Sequence, residues 1–263
     1  MTVQELKAAE PDRPAGYDNV IGPRARFGVI APSTNTTVEA DLWMIRPRDV
    51  SFHTGRMYIG SPVIRSNADF EGLIGQIRES ITTAVRDVMT CFPTYMLMGM
   101  SAETFWGGVK GNQAFIERIK DSSGLDVSTG ASSCRAALEF FGSERIAVFS
   151  PYQPIADEQV GTYFREAGFD VAAITGLRCP SATAIAEVGE GVNADVVADL
   201  DDDSVDAIVQ VGTNLSFVNQ AAELERKLGK PVIAINVATL WHALRACGID
   251  DQINGFGRIL EEA

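Results

Sequence analysis

Residues 26–39 read RFGVIAPSTNTTVE, and they decide the fold class. FGVIA, residues 27–31, is a short uninterrupted apolar run, the pattern of a strand buried on both faces. Pro32 ends it. Ser33, Thr34, Asn35 and Thr36 follow, and Thr36 with Glu39 fits a capping box, so a helix is expected to begin there. A buried strand that feeds straight into a capped helix is the repeating unit of a parallel α/β sheet.

Working outward, the same unit recurs. Further strands are expected at residues 50–57, 95–100 (YMLMGM), 145–149, 171–177, 207–211 (AIVQV) and 231–236. Residues 70–90 read as a long amphipathic helix, because Leu73, Ile77, Ile81, Val85 and Val88 recur every three or four positions. Other helices are expected at residues 114–120, 157–167, 182–200, 217–229 (closed by Gly229) and 239–247. The alternation predicts an α/β protein with parallel sheets, arranged as two similar lobes. The first lobe spans residues 25–137 and is completed by 236–263, and the second spans 138–235. Residues 1–24, with Pro11, Pro14 and Pro23, read as a polar extension carrying a short helix at residues 3–9.

Composition excludes several functions. The 263 residues include 22 Lys and Arg against 35 Asp and Glu, a net charge of −13. That excess argues against nucleic-acid binding through phosphate neutralisation and against a polybasic membrane patch. No apolar stretch approaches the roughly 20 residues of a membrane helix. Cys91, Cys134, Cys179 and Cys247 form no CxxC pair, and with two histidines no zinc cage is expected. A reducing compartment, the cytoplasm, follows as the expected location. Of the thiols, Cys179 before Pro180 is expected to be the most exposed. His53, in a strand, and His242, beside Trp241, read as structural.

In such folds ligands bind at the carboxyl ends of the strands. Those ends carry residues 32–36, 99–103, 150–152 and 212–214, which offer hydroxyls, amides and backbone N–H groups but no Lys or Arg. Each is an ordinary helix cap taken singly. Together they suit an anion such as a carboxylate, or a developing enolate. Glu103 is the one carboxylate among them. No GxxxxGK[ST], GxGxxG, GxSxG or HExxH motif is present.

Four stretches in order, APSTNTTVE (31–39), LMGMSAETFWGG (97–108), STGASSCRAALEFFGSERIAVFSPY (128–152) and VGTNLSF with ELERKLGKPVIAINVATLWHALRACG (from 211 to 248), resemble the maleate isomerase and arylmalonate decarboxylase family of the aspartate/glutamate racemase superfamily. The resemblance covers nearly the whole chain after about residue 25. It implies two Rossmann-like lobes with parallel sheets facing a central cleft, a small carboxylic-acid substrate, and chemistry without metal or organic cofactor. It also implies one or two cleft cysteines, one per lobe, whose thiolate adds to substrate or moves a proton. Here the chain departs. The first thiol position falls at Gly99 or Met100 and the second at Gly212, beside Thr213. A family asparagine near residues 181–183 is also missing. Asn35 matches the substrate-binding asparagine, Ser101 a hydroxyl of the oxyanion loop, and Tyr152 the tyrosine opening the second lobe.

The candidate catalytic residues are therefore Ser101, Glu103 and Tyr152. The candidate binding residues are Ser33, Thr34, Asn35, Gly99, Met100, Gly212, Thr213 and Asn214. Three activities remain open: a lyase or isomerase with non-cysteine chemistry, or with Cys134 or Cys179 acting from a displaced position; a hydrolase of an amide, lactone or imide using Glu103, water and a Ser/Thr oxyanion hole; and a catalytically silent carboxylate-binding protein. A homo-oligomer is compatible with each.

Overall fold

In the computed structural model, residues 19–60 and 63–263 are described. The expected helix at residues 3–9 lies outside them. Sheet one contains β1 (Ala25–Pro32), β2 (Val50–Met57), β3 (Tyr95–Met98) and β4 (Val127–Ser128), in spatial order β2-β1-β3-β4 with every pairing parallel. Sheet two contains β5 (Arg145–Ser150), β6 (Asp170–Gly176), β7 (Ala207–Gln210) and β8 (Val232–Ala234), in order β6-β5-β7-β8, again all parallel. The two sheets share one winding. In each, the chain leaves the first strand to one side and returns to the other, so a crevice opens between β1 and β3 and between β5 and β7. Such reversal points are where open α/β sheets bind ligands.

The helices are α1 (Val38–Ile45), α2 (Asn67–Val88), α3 (Ala102–Phe105), α4 (Gly108–Ser123), α5 (Gly130–Phe141), α6 (Pro154–Glu166), α7 (Glu190–Leu200), α8 (Val218–Leu228), α9 (Ile235–Ala246) and α10 (Arg258–Glu262). Ser66 caps α2 by accepting a hydrogen bond from the Asp69 N–H. Its apolar stripe, from Phe70 to Val88, is buried. After β8 the chain crosses back, and α9 packs on α5, α1, β3 and β4. The central strands are almost wholly buried, with Phe27, Val29, Ile30, Met96, Met98, Val148, Phe149, Ile208 and Val209 all closed to solvent, whereas the edge strand β6 is half-exposed along its length.

Several local expectations are corrected. Thr36 and Glu39 form no capping box. Asn35 Oδ1 accepts from the N–H groups of Thr37 and Val38, both at 3.0 Å, and Glu39 pairs with Arg56 instead. Residues 182–200 are a single 3-10 turn (Ala184–Glu187) followed by α7, not one helix. The last strand stops at Ala234, so Asn236 lies in the first turn of α9 rather than in a strand. Cys179 is buried, because its N–H donates to the Pro151 carbonyl and its carbonyl accepts from Gln153.

Candidate active site

Four strand ends meet in the crevice. The loop after β1 supplies Thr34 and Asn35, that after β3 Met100 and Ser101, that after β5 Pro151 and Tyr152, and that after β7 Gly212, Thr213 and Asn214. They enclose a cavity of about 60 Å³. Phe70, Leu73 and Ile77 of α2 form one wall, and Ala182 with Ile185 another. The sequence does not single out this apolar wall, since its residues share the periodicity of any core-facing helix stripe.

The polar end is tightly built. Ser101 Oγ and Tyr152 Oη are hydrogen-bonded at 2.5 Å. The Thr213 N–H donates to Ser101 Oγ at 3.2 Å. Thr213 Oγ1 donates to the Gly99 carbonyl at 3.0 Å and accepts from Asn35 Nδ2 at 3.1 Å. Asn214 fastens the lobes together: its Oδ1 accepts from the Thr36 N–H at 2.9 Å, and its Nδ2 donates to the Ala182 carbonyl at 2.8 Å. Burial pushes the Tyr152 hydroxyl well above the usual phenol range, only partly offset by Ser101. Tyr152 is thus a neutral proton donor at physiological pH.

Of the residues singled out from sequence, Thr34, Asn35, Met100, Ser101, Tyr152, Gly212, Thr213 and Asn214 line the cavity together. Three do not. Ser33 Oγ is taken by the Ile59 N–H at 3.0 Å. Gly99 contributes only its carbonyl, to Thr213 and Asn35. Glu103 is not among the residues that line the cavity: buried, its Oε1 accepts from Arg78 Nε at 2.8 Å and lies 3.5 Å from Arg118, while its Oε2 has no partner among the described residues. The structure therefore places it as an ion-paired carboxylate outside the cavity lining.

The thiols are no closer to a role. Cys134 lies on α5 with no exposed surface, and burial drives its pKa upward. Burial raises Cys179 to about 11. Neither lines the cavity. His242 is held by Ser128 at 2.7 Å, and His53 by Ser51 at 3.0 Å, both remote from it. Among the described residues no cluster of His, Cys, Asp and Glu suits a metal ion.

The family profile of arylmalonate decarboxylase matches residues 27–260. The chain belongs to the arylmalonate decarboxylase family. A maleate isomerase of Pseudomonas putida is 27% identical over 249 residues, spanning 90% of this chain and 98% of that protein. The arylmalonate decarboxylase of Bordetella bronchiseptica is 25% identical over 241 residues, spanning 90% and 97%. A maleate isomerase from Pseudomonas putida S16, solved with maleate, superposes with a TM-score of 0.83 at 23% identity, covering 91% of this chain and 98% of that one. A Nocardia farcinica maleate cis-trans isomerase carrying a covalently bound succinylcysteine intermediate matches equally well, at TM-score 0.83 and 21% identity, covering 91% and 99%. This arylmalonate decarboxylase family member is therefore an enzyme of the isomerase and decarboxylase type, with the two-lobed fold of its relatives.

Proposed function

We propose that the protein is a cofactor-independent lyase that decarboxylates a small, activated carboxylic acid without a cysteine. The observation that carries this is the hydroxyl pair of Ser101 Oγ and Tyr152 Oη, with the Thr213 N–H donating to Ser101 Oγ, at one end of a cavity walled on the other side by Phe70, Leu73, Ile77 and Ile185. A substrate carboxylate seated there accepts hydrogen bonds from groups fixed in advance by the two lobes. A second carboxylate on the same carbon is left against Phe70, Leu73, Ile77 and Ile185, where charge is poorly solvated and neutral CO₂ is favoured.

When the carbon–carbon bond breaks, its electron pair moves into the retained carboxyl group and forms an enediolate. The fixed donors stabilise that charge as it develops. The α-carbon then takes a proton from the Ser101–Tyr152 hydroxyl pair, which is reprotonated by solvent. No base or nucleophile is needed, and this matters because the positions where the family resemblance implies thiols fall at Gly99 or Met100 and at Gly212, none of them a cysteine. Addition of a thiolate to maleate, as in a succinylcysteine intermediate, has no nucleophile here. The hydrolase alternative loses its base, since Glu103 is bound by Arg78 and Arg118.

The test is ¹H NMR in D₂O with phenylmalonate, alkylmalonates and maleate. The expected result is CO₂ release from a substituted malonate with one deuterium at the α-carbon of the product. Fumarate formed from maleate would replace the lyase by an isomerase. Thermal stabilisation by these acids without turnover would leave a carboxylate-binding protein.

A further inference from the structure

Thr213 is fastened on three sides. Its hydroxyl joins Gly99 and Asn35, and its N–H reaches Ser101. Its carbonyl accepts from Asn236 Nδ2 at 3.0 Å. Asn236, in the first turn of α9, also donates from Nδ2 to Asp41 Oδ2 of α1 at 2.7 Å. Asn236 and Asp41 are both almost wholly buried. Because the two short contacts go to a carboxylate and a carbonyl, both acceptors, the nitrogen of the amide must face them. That leaves Asn236 Oδ1 buried and without a partner.

This arrangement is expensive for stability. It buries a carboxylate with no ion-pair partner among the described residues, and it strands an amide oxygen. An apolar pair of similar volume would hold α1 on α9 at lower cost. What the polar pair supplies is direction, since one amide nitrogen bridges the Asp41 carboxylate and the Thr213 carbonyl and so fixes where that carbonyl points. Polar groups that stability does not explain belong to function.

We propose that Asn236 and Asp41 are positioning residues, which grip the Thr213 carbonyl so that the Thr213 N–H is presented to Ser101 Oγ at the anion-binding end of the cavity. This rests on the donor-set reading given above. Burial raises the Asp41 carboxyl to about 6, against the opposing Asn236 hydrogen bond. The charged and titratable groups on α1 and on the elements packed around it are Glu39 on α1, His53 and Arg56 on β2, and His242 and Arg245 on α9; the causes of the shift are burial and the Asn236 hydrogen bond. Protonation of Asp41 weakens the acceptor that orients Asn236, and the change passes to Thr213.

The experiment follows the Thr213 amide by ¹⁵N NMR in the full chain, with wild type, Asp41→Asn and Asn236→Ala, from about pH 5 to about pH 8. In wild type the Thr213 amide shift titrates near pH 6. In Asp41→Asn it is flat, while protection from hydrogen exchange is retained because asparagine still accepts from Asn236. In Asn236→Ala the Thr213 amide exchanges about tenfold faster or more, with Phe27 and Val148 unchanged. If phenylmalonate is turned over, the same variant lowers kcat with KM little altered. A Thr213 amide that exchanges as in wild type, or a titration that persists in Asp41→Asn, overturns the proposal. Should Asn236→Ala fail to fold, the isosteric Asp41→Asn decides alone. Failure of wild type to turn over phenylmalonate counts against the lyase, not against the brace, which the amide measurements judge without substrate.

Discussion

The ring of Pro151 stands where a side chain on Gly212 would have to go. A Cβ built on Gly212 falls 2.5 Å from Pro151 Cδ and 2.6 Å from its Cγ, and Gly212 has φ of +110°. Both facts strain any L side chain at the strand end where the family resemblance implies a thiol. The absent cysteine is thus built into the backbone of this site and is not a single-residue loss. Gly212→Cys is expected to destabilise the fold by about 2–3 kcal/mol. At Gly99, φ is ordinary and the nearest atoms lie at 3.1–3.2 Å, so Gly99→Cys costs about 1 kcal/mol. Urea unfolding of the two variants checks the order, and equal losses would refute it.

Ser101 follows β3 and Tyr152 follows β5, yet their hydroxyls are hydrogen-bonded to each other. Ser101→Ala and Tyr152→Phe are each expected to lower kcat on the turned-over malonate by about 10²–10³. The double variant should be only slightly worse than either single one, because groups that act as a unit are not additive. Initial rates measure this. A multiplicative double loss would mean that the two hydroxyls work separately.

Much of this was legible in the residues, for a physical reason. Runs such as FGVIA and AIVQV are buried on both faces and end at Pro or Gly, so strand positions and strand-end clusters follow from local pattern alone. Contacts made across the fold leave no such mark. Glu103 reads as an exposed first-turn carboxylate until Arg78 of α2 and Arg118 of α4 are brought to it. Asn236 continues an apolar run, VIAIN, whose strand gives way to helix at Ile235 because the chain must return to the first lobe. Phe70, Leu73 and Ile77 look like core until the second lobe leaves a gap beside them.

Glu103→Gln tests the structural assignment of that carboxylate. The change weakens two charge-assisted contacts made by a buried group. Stability is expected to fall by about 1–2 kcal/mol, since both arginines are partly in solvent. Turnover should stay within about twofold of wild type. Loss of turnover with unchanged stability would restore Glu103 to the chemistry.

Alkylation separates thiol chemistry from hydroxyl chemistry. Cys134 is fully buried, and burial raises both Cys179 and Cys247 to about 11, so little thiolate exists at neutral pH. Iodoacetamide should leave activity intact over a time that labels all four cysteines of the urea-unfolded chain. Inactivation that tracks labelling of Cys134 or Cys179, read by mass spectrometry, would show a displaced thiol at work.

The last prediction concerns pH and stability. Asp157 accepts from Ser150 Oγ, which in turn accepts from the Tyr152 N–H at 3.0 Å. Burial raises the Asp157 carboxyl to about 6, against hydrogen bonding from Ser150 and the nearby Arg178, both of which lower it. A carboxyl whose folded pKa lies above its unfolded value of 3.8 binds more protons in the native state. Its contribution to stability is therefore fully present below about pH 4 and is lost as pH rises through about 6. Asp157→Asn removes that loss while keeping an acceptor for Ser150. Relative to wild type, the variant should gain roughly 2 kcal/mol between about pH 4 and about pH 8. Unfolding free energies at several pH values test it, and parallel curves for the two proteins would show that Asp157 titrates alike in the folded and unfolded chain.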